Sequence, residues 1–250
     1  MSGHSKWATI KRKKGAADAK RGQVFTRLAR EISMAAREGG GDPDSNFKLR
    51  LAVDKARTNN MPKDNVDRAI KRGTGEGGDG AVLEQIMYEG YGGHGVALII
   101  ECVTDNRNRT VSDLRRTLTR AGGHLGEANS VAWQFQRKAY FLFSQGERSQ
   151  DELFEMAVDA GADDVQFTDG EVEIYAPVEA FKSVSDRLRA ADITPEDAEL
   201  RMEPTTTMEL SPDDTVKVMR VIEELEELDD VHKVYSNVHV TDEAAELMAA

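Results

Sequence analysis

Between positions 3 and 22 stand seven lysines and arginines against one aspartate: Lys6, Lys11, Arg12, Lys13, Lys14, Lys20 and Arg21, with His4 and Trp7 among them. Cations in this pattern neutralise phosphates and release their counterions, and an indole face stacks on an unpaired base. Four like charges in a row, at 11–14, repel one another, so the segment reads as a phosphate-binding arm. A solvated lead-in to a helix, with Trp7 as a core anchor, is the competing reading. Gly15 and Gly22 let such an arm adapt to a backbone. A second cationic group, Arg107 and Arg109, falls at a strand-to-helix junction, where free N–H groups and the helix dipole attract anions. Arg115, Arg116 and Arg120 follow on the face away from Leu114 and Leu118, where a solvated helix face is sufficient explanation for the first two.

Enzyme chemistry finds no comparable pattern. The histidines at 4, 94, 124, 232 and 239 make no metal spacing with one another or with Cys102. No Walker A sequence, dinucleotide fingerprint or Gly-x-Ser-x-Gly elbow is present. The sequence therefore points away from an enzyme and implies no cofactor, no metal and no small-molecule substrate. One cysteine and no apolar run near 20 residues fit a reducing, cytoplasmic setting without a membrane partner.

Charge is distributed unevenly. The formal net charge is -12, yet residues 1–75 carry +10 and residues 105–140 carry +4, while residues 141–250 carry -21. Local charge decides what a surface attracts, because screening removes interactions beyond about 8 Å at physiological salt. The acidic remainder either confers solubility, repels nucleic acid from all but the basic face, or meets a basic protein surface.

The elements that must carry these groups follow from periodicity. Apolar residues at three- and four-residue steps predict helices over 16–38, from near Pro43 to Ala56, and from Pro62 to Gly73. The runs "EQIMYEGY" and "VALIIECVT" predict a hairpin around Gly92–Gly95, followed by a helix from Arg109 to Ala121 with Thr110 and Asp113 as its cap. "SVAWQF" reads as the next strand, with Tyr88, Tyr91 and Trp133 as core aromatics. Residues 138–201 spell β-α-β-β-α-β, with a turn at Asp169-Gly170, a complete ferredoxin-like unit. The tail supplies a strand ("TTTMEL"), a helix begun by Ser211-Pro212 and a strand ("VHKVYSNV"), and residues 241–250 read as frayed. The expected fold class is α+β: an N-terminal three-helix domain (1–75), then two ferredoxin-like α/β domains, the second (137–202) inserted into the first (81–136 plus 203–240).

The stretches "GHSKW", "IKRKK", "RGQVFTRLAREI", "AAREGGGDP", "NFKLRLA", "NNMPKDNVDRAIKRGTG", "YEGYGGHGVA", "TDNRNRT" and "GGHLGEANSVAW" resemble the YebC/PmpR family over essentially the whole chain. The resemblance implies a helical N-terminal domain and two α/β domains. It also implies a regulator of gene expression, described in some members as DNA-binding and in others as acting on the ribosome at proline-rich stretches. A mitochondrial translational activator of cytochrome oxidase subunit one belongs to the same group. Where the family usually has Tyr-Gly-Pro-Gly-Gly, this chain has Tyr91-Gly92-Gly93-His94-Gly95, which removes the proline and puts His94 at the hairpin tip. The expected partner is nucleic acid, DNA or ribosomal RNA, with the ribosome itself as one form of that partner. The flexible arm and the lack of a recognition helix lean to RNA, whereas the resemblance leans to DNA. A protein-interaction adaptor using the acidic domains is the reading of a different class.

Overall fold

The computed structural model describes residues 18–76, 83–168 and 170–249. His4, Lys6, Trp7 and Lys11–Lys14 lie outside these residues, as do the side chains of Lys20 and Arg21 and half of the turn expected at Asp169-Gly170. The architecture is the expected α+β, with a helical region first and two sheet domains after it.

Three helices open the described chain: α1 (Asp18–Gly39), α2 (Phe47–Thr58) and α3 (Lys63–Thr74). Leu28, Ile32, Ala35 and Ala36 of α1 meet Leu49, Ala52, Val53 and Ala56 of α2 and Val66 and Ala69 of α3 in one core. The second helix does not start near Pro43. Asn46 caps it by accepting the Leu49 N–H at 3.1 Å, while its amide donates to the carbonyl oxygens of Ala35 and Gly40 at 2.7 and 2.8 Å. One buried side chain thus ends one helix and starts the next. α1 and α3 approach closely at Gly73, where a Cβ would run into the Ser33 carbonyl oxygen and the Ala36 methyl group. The Ser33 hydroxyl spans the same interface to Ala69 O at 2.8 Å.

The middle sheet has the order β3-β1-β2-β8, built from β1 (Glu84–Tyr91), β2 (Ala97–Thr104), the two-residue β3 (His124–Leu125) and β8 (Val231–Ser236). The hairpin register runs from Glu84 opposite Thr104 to Tyr91 opposite Ala97. At its tip His94 takes φ 60, a left-handed conformation that histidine tolerates better than most residues. Helices α4 (Arg107–Arg120) and α7 (Pro212–Glu226) cover one face, burying Leu114, Leu118, Val218 and Ile222 against Leu98, Ile100 and Val234. Three expectations fail here. Met208 makes only a single parallel bridge to Val238, so "TTTMEL" is no strand. Residues Asp242–Ala249 form a helix, α8, whose Ala244 and Met248 complete the core, so the tail is not frayed. The cap of α4 is Asn106 rather than Thr110, as described below.

Phe135–Thr205 forms its own compact unit, and the rest of the chain, up to Gln134 and again from Thr206, forms the other. The strands β4 (Phe135–Ser144), β5 (Asp164–Thr168), β6 (Glu171–Ala176) and β7 (Asp197–Pro204) lie in the order β5-β6-β4-β7, all neighbours antiparallel. With α5 (Gln150–Asp159) and α6 (Phe181–Ala190) this is the ferredoxin-like plan. The helices bury Leu153, Met156, Val184 and Leu188, and the Phe141 and Phe181 rings lie 4.8 Å apart. The face of Tyr140 carries a buried ionic cluster. The Arg201 guanidinium sits 3.3 Å from the Tyr140 ring centroid, pairs with Glu203 and donates to the Tyr175 hydroxyl at 2.9 Å. That hydroxyl donates in turn to Glu173 at 2.6 Å.

Candidate nucleic-acid interface

The described cations fall into two classes. In the helical domain, Arg27, Lys63, Lys71 and Arg72 have no carboxylate partner among the described residues, whereas Arg30, Lys48 and Arg57 pair with Asp230, Glu38 and Asp54. Lys63 stands at the start of α3, and Lys71 and Arg72 occupy its last turn, next to the left-handed Gly75 that ends it. A cation there also meets the negative end of the helix dipole.

The cations of α4 are mostly neutralised by the protein itself. Arg107 pairs with Glu84, Arg116 with Asp113 at 3.0 Å, and Arg120 with Glu224. Arg115 has no such partner among the described residues. Arg109, expected as a second phosphate contact, is held by two carboxylates of the protein while its side chain stays 46% exposed. Its Nη2 lies 2.8 Å from Asp230 Oδ1 and 2.8 Å from Asp105 Oδ1, and its Nε lies 3.0 Å from Asp230 Oδ2. The Asn106 side chain accepts the Arg109 N–H at 3.1 Å and caps the helix. Thr110, expected in the cap, lies inside the helix, which starts at Arg107, and sends its hydroxyl to Asp230 at 2.9 Å.

Asp230, 5% exposed, also takes Arg30 of α1 at 3.2 Å. Arg30 reaches the carbonyl oxygens of Val103, at 3.2 Å, and Asp229 as well. Burial on its own pushes the Asp230 carboxyl upward. The hydrogen bonds from Arg109 and Thr110, with the charges of Arg109 and Arg30, outweigh it and hold the group below its ordinary 3.8. The chemistry of this cluster is structural: it fastens the helical domain to the middle sheet and so fixes where the bundle's unpaired cations stand. Sequence reading did not find it, because its members come from three distant segments, around Arg30, 103–110 and 229–230.

Of the aromatic residues expected in the core, Tyr88 packs against that of the middle sheet, whereas Trp133 falls elsewhere. "SVAWQF" is not a strand: Ala132–Gln134 is a 3-10 turn, and β4 begins at Phe135. Trp133 is 74% exposed rather than a core residue. The loop that carries it is held by Glu89, whose carboxylate accepts N–H groups from Asn129, Val131 and Ala132 at 2.6, 2.7 and 2.8 Å. Tyr91 Oη and Trp133 Nε1 both donate to Ser130 O at 3.1 Å. The indole's polar atom is therefore satisfied inside its own loop while its ring faces solvent. Tyr91 stacks on His124 with ring centroids 5.1 Å apart.

Among the described residues no group of three or more histidine, cysteine or acidic side chains is placed to hold a metal ion, and no helix is long and apolar enough to cross a membrane. The model of the TACO1/YebC protein N-terminal domain matches residues 5–76, and that of the TACO1/YebC second and third domain matches residues 83–238. The chain belongs to the TACO1/YebC family. Lys6, Trp7 and Lys11–Lys14 thus lie within the family's N-terminal domain, and Arg109, Trp133 and Asp230 within its second and third. A "probable transcriptional regulatory protein" of Roseiflexus castenholzii is 53% identical over 98% of both chains. One of Burkholderia ambifaria is 52% identical over 97% of this chain and all of its own. The crystal structure of a conserved hypothetical protein from Aquifex aeolicus matches with a TM-score of 0.82 at 39% identity, over 90% of this chain and 93% of that one.

Proposed function

We propose that this TACO1/YebC protein is a non-enzymatic regulator of gene expression that binds nucleic acid through its helical domain and basic arm. The observation that carries the reading is the division of cations. Arg27 of α1 and Lys63, Lys71 and Arg72 of α3 lack internal carboxylate partners among the described residues, whereas the cations of α4 mostly have them. Unpaired exposed cations release counterions on meeting phosphates without first giving up a protein partner. Arg107 exchanges its solvent-exposed Glu84 for a phosphate at little cost, while Arg109 positions the bundle through Asp230. Lys6, Lys11, Arg12, Lys13, Lys14, Lys20 and Arg21 make the first contacts, and His4 and Trp7 flank them. The relatives' names support the regulatory half of this reading.

Binding of the full chain to a duplex DNA and to a ribosomal RNA fragment over a range of salt tests it. With about five phosphates neutralised on duplex, log affinity falls with log salt at a slope near -4.5. Replacing Lys11, Arg12, Lys13 and Lys14 by Ala flattens that slope. A slope near zero on both nucleic acids overturns the proposal. The exposed Trp133 ring favours a second reading, in which the nucleic acid is partly unpaired ribosomal RNA. Under it the wild type co-sediments with ribosomes on a low-salt sucrose gradient and the four-alanine variant stays at the top; if both stay at the top, the ribosomal reading fails.

A further inference from the structure

Helix α5 leaves two apolar side chains half exposed. Its buried residues Leu153, Met156 and Ala157 define the inward face. At about 100° per residue, Asp151, Glu155 and Val158 fall on the opposite side, and Phe154 lies on the flank beside Val158. Phe154 is 50% exposed and Val158 47%. Single exposed apolar residues are ordinary, but two placed one turn apart on the exposed side of a helix make a contiguous patch. The rim of the patch is acidic. α5 carries Asp151, Glu152, Glu155 and Asp159 and no Lys or Arg. Arg148 reaches Glu152 at 3.4 Å, whereas Asp151, Glu155 and Asp159 have no cationic partner among the described residues. Residues 135–205 as a whole hold 7 Lys/Arg against 17 Asp/Glu.

We propose that the outward face of α5 docks a basic amphipathic polypeptide segment. Phe154 and Val158 cover its apolar side chains, and Asp151, Glu155 and Asp159 face its lysines or arginines. Charge complementarity selects this occupant, because the same carboxylates repel a phosphate backbone. The surface is independent of the nucleic-acid reading, so either stands if the other falls.

The test is fluorescence anisotropy of the full chain with a labelled Lys/Leu peptide patterned as an amphipathic helix. A scrambled peptide of the same composition is the comparison. Wild type binds the patterned peptide on the order of tenfold tighter than the scrambled one. F154S/V158S loses that preference while it still melts cooperatively, since both side chains are about half exposed. Glu155→Lys, which keeps the apolar pair, weakens binding of the patterned peptide and reduces its salt dependence. Equal binding of both peptides by wild type overturns the proposal, since acidity alone then explains the affinity. So does an unchanged preference in F154S/V158S. Self-association in sedimentation velocity that F154S/V158S abolishes assigns the face to a second copy and overturns it too.

Discussion

Arg109 grips Asp230 with both prongs of its guanidinium, Nη2 to Oδ1 at 2.8 Å and Nε to Oδ2 at 3.0 Å, across 121 residues of sequence. Arg30 shares the same carboxylate at 3.2 Å, and the Thr104 and Thr110 hydroxyls bond to Oδ2 at 3.2 and 2.9 Å. A helix of the bundle, a central strand, the helix after it and the turn before β8 are therefore tied at one point. Forked geometry suits arginine, and only a fixed, ionised carboxylate satisfies two of them.

Asp230→Asn should cost about 2 kcal/mol, because it leaves two guanidinium groups short of their charged acceptor while Arg109, 46% exposed, still reaches water. Urea unfolding measures the loss. Amide exchange along α1 reports whether the bundle loosens from the sheet, as it should; protection equal to wild type there would disprove the fastening role.

Acid should weaken the same joint. The Asp230 pKa is depressed below 3.8 in the folded chain, so its contribution is fully present above that value and is lost as pH falls through the folded pKa. Unfolding free energies from denaturant titrations taken from about pH 6 downward should fall in wild type by up to about 1.4 kcal/mol per pH unit for this group. Asp230→Asn should show a shallower decline; parallel curves for the two proteins would contradict the assignment.

Gly73→Ala should destabilise the helical domain by about 1–3 kcal/mol although alanine is the better helix former. The added methyl group meets the Ser33 carbonyl oxygen, which belongs to the backbone of α1 and cannot swing aside. Thermal melting followed by helical circular dichroism decides the sign. A stabilised variant would mean that α1 and α3 are not packed at this distance.

In a Trp7→Phe background, Trp133 is the sole tryptophan. Its fluorescence should be freely quenched by acrylamide, as its exposure requires. Glu89→Gln should lower its anisotropy, because the amide cannot accept all three N–H bonds that hold the loop. A shielded, blue-shifted Trp133 would show that the ring is covered.

The helices and strands were legible where packing follows local period. Leu28, Ile32, Ala35 and Ala36 announce α1, and the alternation through residues 138–201 gives the ferredoxin-like order before any contact is known. Boundaries failed where a side chain was committed elsewhere. Thr110 reads as a cap until the helix is seen to start at Arg107, which puts Thr110 inside it with its hydroxyl on Asp230, 120 residues away. Pro43 reads as a helix start until Asn46 is seen bridging two helices. Trp133 sits in an apolar run that suggests a strand, and only Glu89, on a different strand, makes it a loop residue facing water. The cationic zones were visible as charge counts, but which cations remain unpaired depends on partners such as Glu84 and Glu224 that no local pattern indicates.

The strand order has a consequence for assembly in time. β8 pairs with β2, yet the whole Phe135–Thr205 unit lies between them in sequence, and Thr104 meets Asp230 across 126 residues. As the chain is synthesised, the free edge of β2 waits unpaired while that unit, whose four strands are contiguous, closes first. The bundle is latched to Asp230 only when β8 arrives, so the cation-rich domain docks last, onto a body already complete. Pulse-labelled hydrogen exchange during refolding reads this order: Val172 and Ile174 gain protection before Ile100 and Val234.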